Sequence, residues 1–213
     1  DLREMSQQGL LQRVHGGALS ASVATGNYKA REDISVEFKR RLAKIAATMV
    51  QPGQVIGVDG GTTNLELIRN LPINLNGTVI THSPLIAAEL QNHVNIEVIL
   101  LGGKLFKHSM VCLSTDTGIE IERFHIDIFF LGATGIHPAL GATTGDWQDA
   151  VVKRTFCLQA AEIILMASPE KLNAASPYKI ISSSQIGTLI IDGTTDASIQ
   201  ESFQREGVTV VMT

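Results

Sequence analysis

Cysteine is nearly missing from this sequence. Among 213 residues there are two, Cys112 and Cys157, far apart and in no C-x-x-C pair, which excludes a disulfide framework and a thiolate zinc site and fits buried thiols in a reducing cytoplasm. Long apolar runs are missing as well. The stretch from Ile126 to Ala133, interrupted by Asp127, falls well short of the ~20 residues needed to span a bilayer. No charged-then-apolar leader opens the chain, which predicts a soluble, cytoplasmic protein. Positive charge is not in surplus: 17 Lys and Arg stand against 21 Asp and Glu, a formal charge of -4. That argues against a nucleic-acid footprint over the whole chain, although local basic clusters are allowed. The patterns G-x-x-x-x-G-K-[ST], G-x-G-x-x-G and H-E-x-x-H do not occur, so nucleotide hydrolysis, dinucleotide redox chemistry and zinc proteolysis have no support.

The chain does have ordinary globular composition, 44% hydrophobic and 18% charged, enough for one sizeable core or a main domain with an appendage. Its most informative stretch is Val58-Asp59-Gly60-Gly61-Thr62-Thr63-Asn64. An apolar run, Val55 to Val58, stops there and a helix-like segment, Leu65 to Ile68, begins. Glycines at a strand end let the backbone approach a ligand, and the first amides of a following helix carry partial positive charge. The junction therefore suits a phosphate or carboxylate, while capping and turn chemistry would account for the same residues.

From Gln54 onward apolar runs alternate with helical patterns: Val55 to Val58 then Leu65 to Leu71, Thr78 to Thr81 then Leu85 to Gln91, and Ile96 to Leu101. Later come Ile126 to Gly132, a helix-like Trp147 to Ala160, Ile163 to Ala167, Thr188 to Ile191, a helix over Ala197 to Glu206, and Val208 to Met212. Apolar strands spaced by helices predict an α/β fold with a mostly parallel sheet covered on both faces, whose ligands bind at the carboxyl ends of strands. Those ends read Asp59 to Thr63, Thr81-His82-Ser83, Gly102-Gly103-Lys104 and Gly132-Ala133-Thr134-Gly135. Backbone and hydroxyl donors with one nearby cation, Lys104, could converge there on a polyoxygenated anion; four simple turns is the alternative. The echo Asp192-Gly193-Thr194-Thr195 reads as structural, with Asp196 capping the next helix.

The segment ahead of Gln54 differs. Ser35 to Val50 has the stripe of an amphipathic helix with a basic, solvated face. Leu19 to Tyr28 is poor in large apolar residues and reads as a linker, and the first eighteen residues fit a helix end, a turn and a short extended arm. The chain opens on Asp1 rather than Met, which predicts processing or truncation.

Taken in order, these motifs resemble the DeoR family of sugar-phosphate-responsive bacterial transcriptional repressors. Asp1-Leu2, Gly9, Leu11, Arg13 and Val14-His15-Gly16-Gly17-Ala18 match the end of its helix-turn-helix and wing. Arg31, Lys39, Leu42-Ala43, Gly53 and Ile56 match its next signature, and Asp59-x-Gly61-Thr62-Thr63 its D-x-G-T-T loop. Thr81-His82-Ser83 matches T-N-S with His for Asn. Gly102-Gly103 matches a G-G turn, Asp127-x-x-Phe130-x-Gly132 a D-x-x-F-x-G pattern, and Asp149-Ala150-x-Val152-Lys153 an E-A-x-V-K pattern with Asp for Glu. A late D-x-x-K is half present as Ser168 to Lys171.

The resemblance implies a remnant of a winged helix-turn-helix over residues 1–18, a linker over 19–30, and a sugar-phosphate-binding effector domain over 31–213. The effector domain would have the fold of ribose-5-phosphate isomerases and coenzyme A transferases, with a small additional lobe. It implies effector contacts from Asp59, Gly61, Thr62, Thr63 and Asn64, joined by Thr81, His82, Ser83, Gly102, Gly103, Lys104, Thr134 and Gly135. Lys153 and Lys171 would add positive charge. The implied partners are a phosphorylated sugar and operator DNA, in a homodimer or homotetramer, with no cofactor, metal or membrane.

Several of these residues have plain structural readings beside the functional ones. His82 also fits a core or turn histidine, Lys153 a solvated lysine, Asp127 a hydrogen-bond acceptor at a strand start, and Asp146 with Asp149 a helix cap. Trp147 is expected to pack. Lys104 and Lys171 have fewer structural explanations. The rival function is an isomerase or deaminase of the same fold. Isomerisation needs a positioned base, and Gly132 to His137 holds no carboxylate; Asp59 and His137 have no evident orienting partner. Binding without turnover is the expectation.

Overall fold

The computed structural model describes residues 11–14, 17–20 and 23–213, with side chains from Ala24 onward. Residues 1–10 and His15-Gly16, part of the expected wing, lie outside the described residues. Leu11–Val14 (β1) pairs antiparallel with Gly17–Ser20 (β2). The stretch read as a linker carries a 3-10 turn at Val23–Thr25 and then a short helix, Tyr28–Glu32 (α1), where the Asn27 side chain accepts from the Ala30 amide.

The elements then alternate. Val36–Thr48 (α2) precedes Val55–Val58 (β3), Thr62–Asn70 (α3), Gly77–Thr81 (β4), Pro84–Glu89 (α4) and Ile96–Leu100 (β5). A hairpin of Lys104–Phe106 (β6) and Val111–Leu113 (β7), then Thr115–Ile121 (α5), leads to Ile126–Leu131 (β8). Gly135–His137 (β9) and Gly141–Thr144 (β10) come before Trp147–Gln159 (α6) and Ala160–Ala167 (β11). Tyr178–Ile181 (β12), Thr188–Ile191 (β13), Ala197–Arg205 (α7) and Thr209–Met212 (β14) follow.

Seven strands form one parallel sheet in the order β14-β13-β11-β8-β3-β4-β5. The chain moves outward from β3 through β4 to β5, then returns to the opposite side of β3 with β8 and moves outward again. The order reverses between β3 and β8, so the crevice at their carboxyl ends is the topological switch point of a doubly wound sheet. An antiparallel lobe, β12-β10-β9, stands apart from the main sheet, as the small additional lobe was expected to.

The sheet separates two apolar cores. Ile128 and Phe130 of β8 face one, with Leu42 and Ala46 of α2 and Leu67 of α3; Phe129 and Leu131 face the other, with Phe156 of α6 and Phe203 of α7. Burial on both faces is why these strands read as unbroken apolar runs. The rings of Phe129 and Phe156 stack 4.8 Å apart at 6°. Asp127 serves as an acceptor at the start of β8, taking the Val55 amide at 2.7 Å. Asp146 caps α6 by accepting from the Asp149 amide at 2.9 Å, and Asp196 accepts from the Ser198 amide at 2.8 Å.

Two expectations require correction. Trp147 does not pack inside: it is 57% exposed, edge-on to Tyr178 and under the Arg154 guanidinium, because position one of α6 lies on the side of the helix away from the sheet. The basic face of α2 is not wholly solvated either, since Lys39 is 3% exposed and its ammonium donates to the Arg31 carbonyl.

Candidate functional site

At the switch point the Asp59 carboxylate is fully buried and holds four donors. Its Oδ1 takes the Gly60 amide at 2.7 Å and His82 Nε2 at 2.9 Å; its Oδ2 takes the Gly132 amide at 2.8 Å and Lys153 Nζ at 2.6 Å. Burial alone would push this carboxyl up, but the Lys153 charge and the His82 and Lys153 hydrogen bonds outweigh it and bring it down to about 2. Asp59 thus joins β3, the turn after β4, the end of β8 and α6. Gly132 makes this possible, because a Cβ there would lie 2.8 Å from the Gly60 carbonyl oxygen and 2.9 Å from Asp59 Oδ2. His82 Nδ1 is 3.1 Å from the Cys112 carbonyl oxygen, so the imidazole spans from Asp59 to β7 beneath the site.

Above this floor lies a narrow cleft with a free cavity of about 30 Å³. The turn at Gly61 to Asn64 forms one wall. Gly61 adopts φ 122°, a conformation that disfavours any side chain, and α3 starts with no side-chain cap. Its first-turn amides supply the partial positive charge of a helix N-terminus. Leu131 to Thr134 and the side chains of Thr144, Asp149 and Lys153 complete the floor, Glu170 and Lys171 a second wall, and Ser109 and Val111 a third. Ala24, Arg31, Ile34 and Lys39 form the roof.

The cleft is cationic and incompletely bonded. Lys171, 9% exposed, is pushed down to about 8, first by burial and then by the charges of Arg31, Lys39 and Lys153, with Glu170 opposing. Burial likewise pushes Arg31 and Lys39 down. Lys153 moves the other way, because Asp149 and Asp59 outweigh its burial. Four buried polar atoms around the cleft have no hydrogen-bond partner among the described residues: Nε and Nη2 of Arg31, Oγ1 of Thr63 and Oδ1 of Asp149.

Of the residues singled out from the sequence, Gly61, Thr62, Thr63, Asn64, Thr134, Lys153 and Lys171 line the cleft. Asn64 spends its amide donors on the carbonyls of Asp59 and Phe130, both at 3.0 Å. Asp59, Thr81, His82 and Ser83 lie below it and are buried; Thr81 donates to the Val58 carbonyl at 2.6 Å and Ser83 to the Met110 carbonyl at 3.1 Å. Gly135 is on β9, paired with Thr143. Gly102, Gly103 and Lys104 are exposed and outside the cleft. The β6–β7 hairpin carries Lys104 opposite Leu113 at its open end, and it is the turn end that brings Ser109 to the cleft. Arg31, Thr144, Asp149 and Glu170 were not among the expected contacts; Arg31 and Asp149 stood in recognisable motifs, whereas Thr144 and Glu170 gave no local signal.

A doubly wound sheet with a cationic cleft at its switch point, and a central carboxylate already committed to four donors, defines an α/β ligand-sensing domain. The model of the DeoR C-terminal sensor domain matches residues 34–193, and the chain belongs to the DeoR family of helix-turn-helix transcriptional regulators. It is 35% identical to the transcriptional regulator GlpR of Haloferax volcanii over 99% of this chain and 83% of that one. It is 30% identical to the regulator GolR of Listeria innocua (99% and 84% covered) and 29% identical to the repressor GlcR of Bacillus subtilis (100% and 83%). Among solved structures it is similar in part to ribose 5-phosphate isomerase A of Methanocaldococcus jannaschii, at 21% identity, 64% of this chain, 54% of that one and a TM-score of 0.47. By family it is a transcriptional regulator. No helix among the described residues is long and apolar enough to cross a membrane.

Proposed function

We propose that the cleft binds a phosphorylated sugar or a related polyhydroxylated anion, and that occupancy changes the grip of this cytoplasmic regulator on operator DNA. The observation that carries the reading is the pattern of unmet hydrogen bonds. The bare Arg31 edge and the cation Lys171 need an anion; the Asp149 Oδ1 acceptor needs a donor, and the Thr63 hydroxyl takes either. A phosphate joined to hydroxyl groups satisfies all of them, and the uncapped start of α3 favours its charge. Within this reading Gly61, Thr62, Thr63, Thr134, Lys153 and Lys171 belong to the effector site, Asp59 and His82 hold its floor, residues 31–213 are the sensor, and residues 1–18 belong to the DNA-binding domain. Homodimeric or homotetrameric assembly suits recognition of repeated half-sites.

For occupancy to alter DNA affinity, the ligand must bind two states of the regulator unequally. A thermal-shift screen of phosphorylated sugars against their unphosphorylated counterparts tests the reading. Stabilisation by a phosphate ester and not by its parent sugar is expected; no response to any phosphate ester would sink it.

A further inference from the structure

The roof of the cleft belongs to the segment that follows the β1–β2 hairpin. It is tied to the rest of the domain by the Tyr28 amide, which donates to the His108 carbonyl at 2.7 Å, and by the Ser35 hydroxyl, which donates to Glu170 Oε2 at 2.6 Å, while within the roof Lys39 donates to the Arg31 carbonyl. Ser35, at the junction of α1 and α2, has φ 53° and ψ 38° and does not cap α2 with its side chain. A non-glycine residue in the left-handed region is strained, and here its hydroxyl is given to the neighbour of Lys171.

Arg31, whose guanidinium lies 5.9 Å from the centroid of the Tyr28 ring, is the member of this roof with unbonded buried donors. Asp149 and Asp59 act on it through space, but no carboxylate of the described residues forms an ion pair with it, and its buried Nε and Nη2 have no acceptor. Those two nitrogens form one edge of the guanidinium plane, the geometry that grips two oxygens of a phosphate or carboxylate at once. Burying such an edge without a partner is unfavourable, so the roof in its closed position is incomplete without an anion beneath it.

We infer that Arg31 grips the anionic group of the ligand and that this contact fastens the roof, residues 24–35, over the cleft. The inference rests on the reading of the cleft as an anion site and deepens it: the residue that reads the anion sits on the stretch of chain through which the hairpin joins the sensor. Ligand binding then acts on that stretch directly, with no relay through the sheet.

Amide hydrogen exchange across residues 24–35 of the full chain, combined with thermal shift, tests it. The probes are millimolar inorganic phosphate and a panel of triose, pentose and hexose phosphates. For a phosphate ester that stabilises the protein, exchange in the roof should slow at least ten-fold. Arg31→Gln should weaken binding at least ten-fold and abolish that slowing. Its ligand-free melting temperature should stay level or rise, because an unpaired buried charge is gone. Arg31→Lys, which keeps the charge and loses the fork, should recover only part of the affinity, and it serves as the variant to read if the Gln protein does not fold. If a phosphate ester binds in a manner lost in Thr63→Val and Lys171→Ala but binds Arg31→Gln as well as the parent, the anion site stands and the role of Arg31 is overturned. Unchanged roof exchange on binding would overturn it in the same way. Absence of stabilisation by every phosphate in the panel would overturn both.

Discussion

Lys153 Nζ lies 2.6 Å from Asp59 Oδ2, 94 residues away in sequence, with the Asp59 side chain fully buried and that of Lys153 nearly so. A buried pair of this kind is weak evidence of net stability but costly to break from one side, at about 3–5 kcal/mol, because the surviving charge is left unpaired. Asp59→Asn and Lys153→Met should each lower the stability measured by urea denaturation by about that much. The double variant should lose clearly less than the sum of the two. Additive losses would mean that the pair does not act as a unit.

The pH dependence of ligand affinity should have two limbs. A phosphate monoester gains its second charge near pH ~6, so affinity should rise through that range. Lys171 is held at about 8 in the free protein, and an anion beside it favours the charged form; affinity should therefore fall as pH rises through about 8. Titration calorimetry across pH 5 to 10 would measure both limbs. Lys171→Arg, which stays charged throughout, should lose the alkaline one; its persistence would assign that limb to another group.

Thr63→Val removes a buried hydroxyl that has no partner while keeping the shape of the side chain. The melting temperature of the free protein should change little. Affinity for a phosphorylated sugar should drop by about 1 kcal/mol, roughly five-fold, the net worth of one hydrogen bond. Equal affinity would place the ligand elsewhere along the wall.

Lys104→Ala should leave ligand affinity within two-fold and stability within about 0.5 kcal/mol, as expected of an exposed side chain outside the cleft. A ten-fold loss would show that the β6–β7 hairpin rearranges to bring Lys104 inward.

Gly132→Ala should cost about 1–3 kcal/mol, the usual penalty of an added carbon in a closed space, because its Cβ would press on the Gly60 carbonyl and on Asp59. Circular dichroism melting checks this, and a neutral result would mean that the Asp59 floor yields easily.

The sheet was legible because parallel strands buried on both faces are written as apolar runs, as in Val55 to Val58 and Ile126 to Leu131. The Asp59 loop was legible because glycine and hydroxyl residues follow such a run directly. Lys104 drew attention by the same logic, yet the hairpin register that sets it opposite Leu113 depends on pairing no local pattern announces. The depth of Lys153 was hidden for another reason: Asp149, Lys153 and Phe156 share one buried face of α6, and a charged residue there makes sense only once Asp59 is placed against it. Arg31 stood in a known motif, but its place over the cleft follows from the packing of α1 against α3 and of α2 against α3 and β11.

The position of the order reversal in the sheet also bears on time. The floor of the cleft takes Asp59 from the strand that starts the sheet and Lys153 from a helix reached only after β8, so no folded fragment ending before α6 holds a complete site. Contacts this far apart in sequence tend to form late on the folding path. A ligand bound to them should therefore slow unfolding far more than it speeds folding, so that occupancy would lengthen the lifetime of the folded regulator.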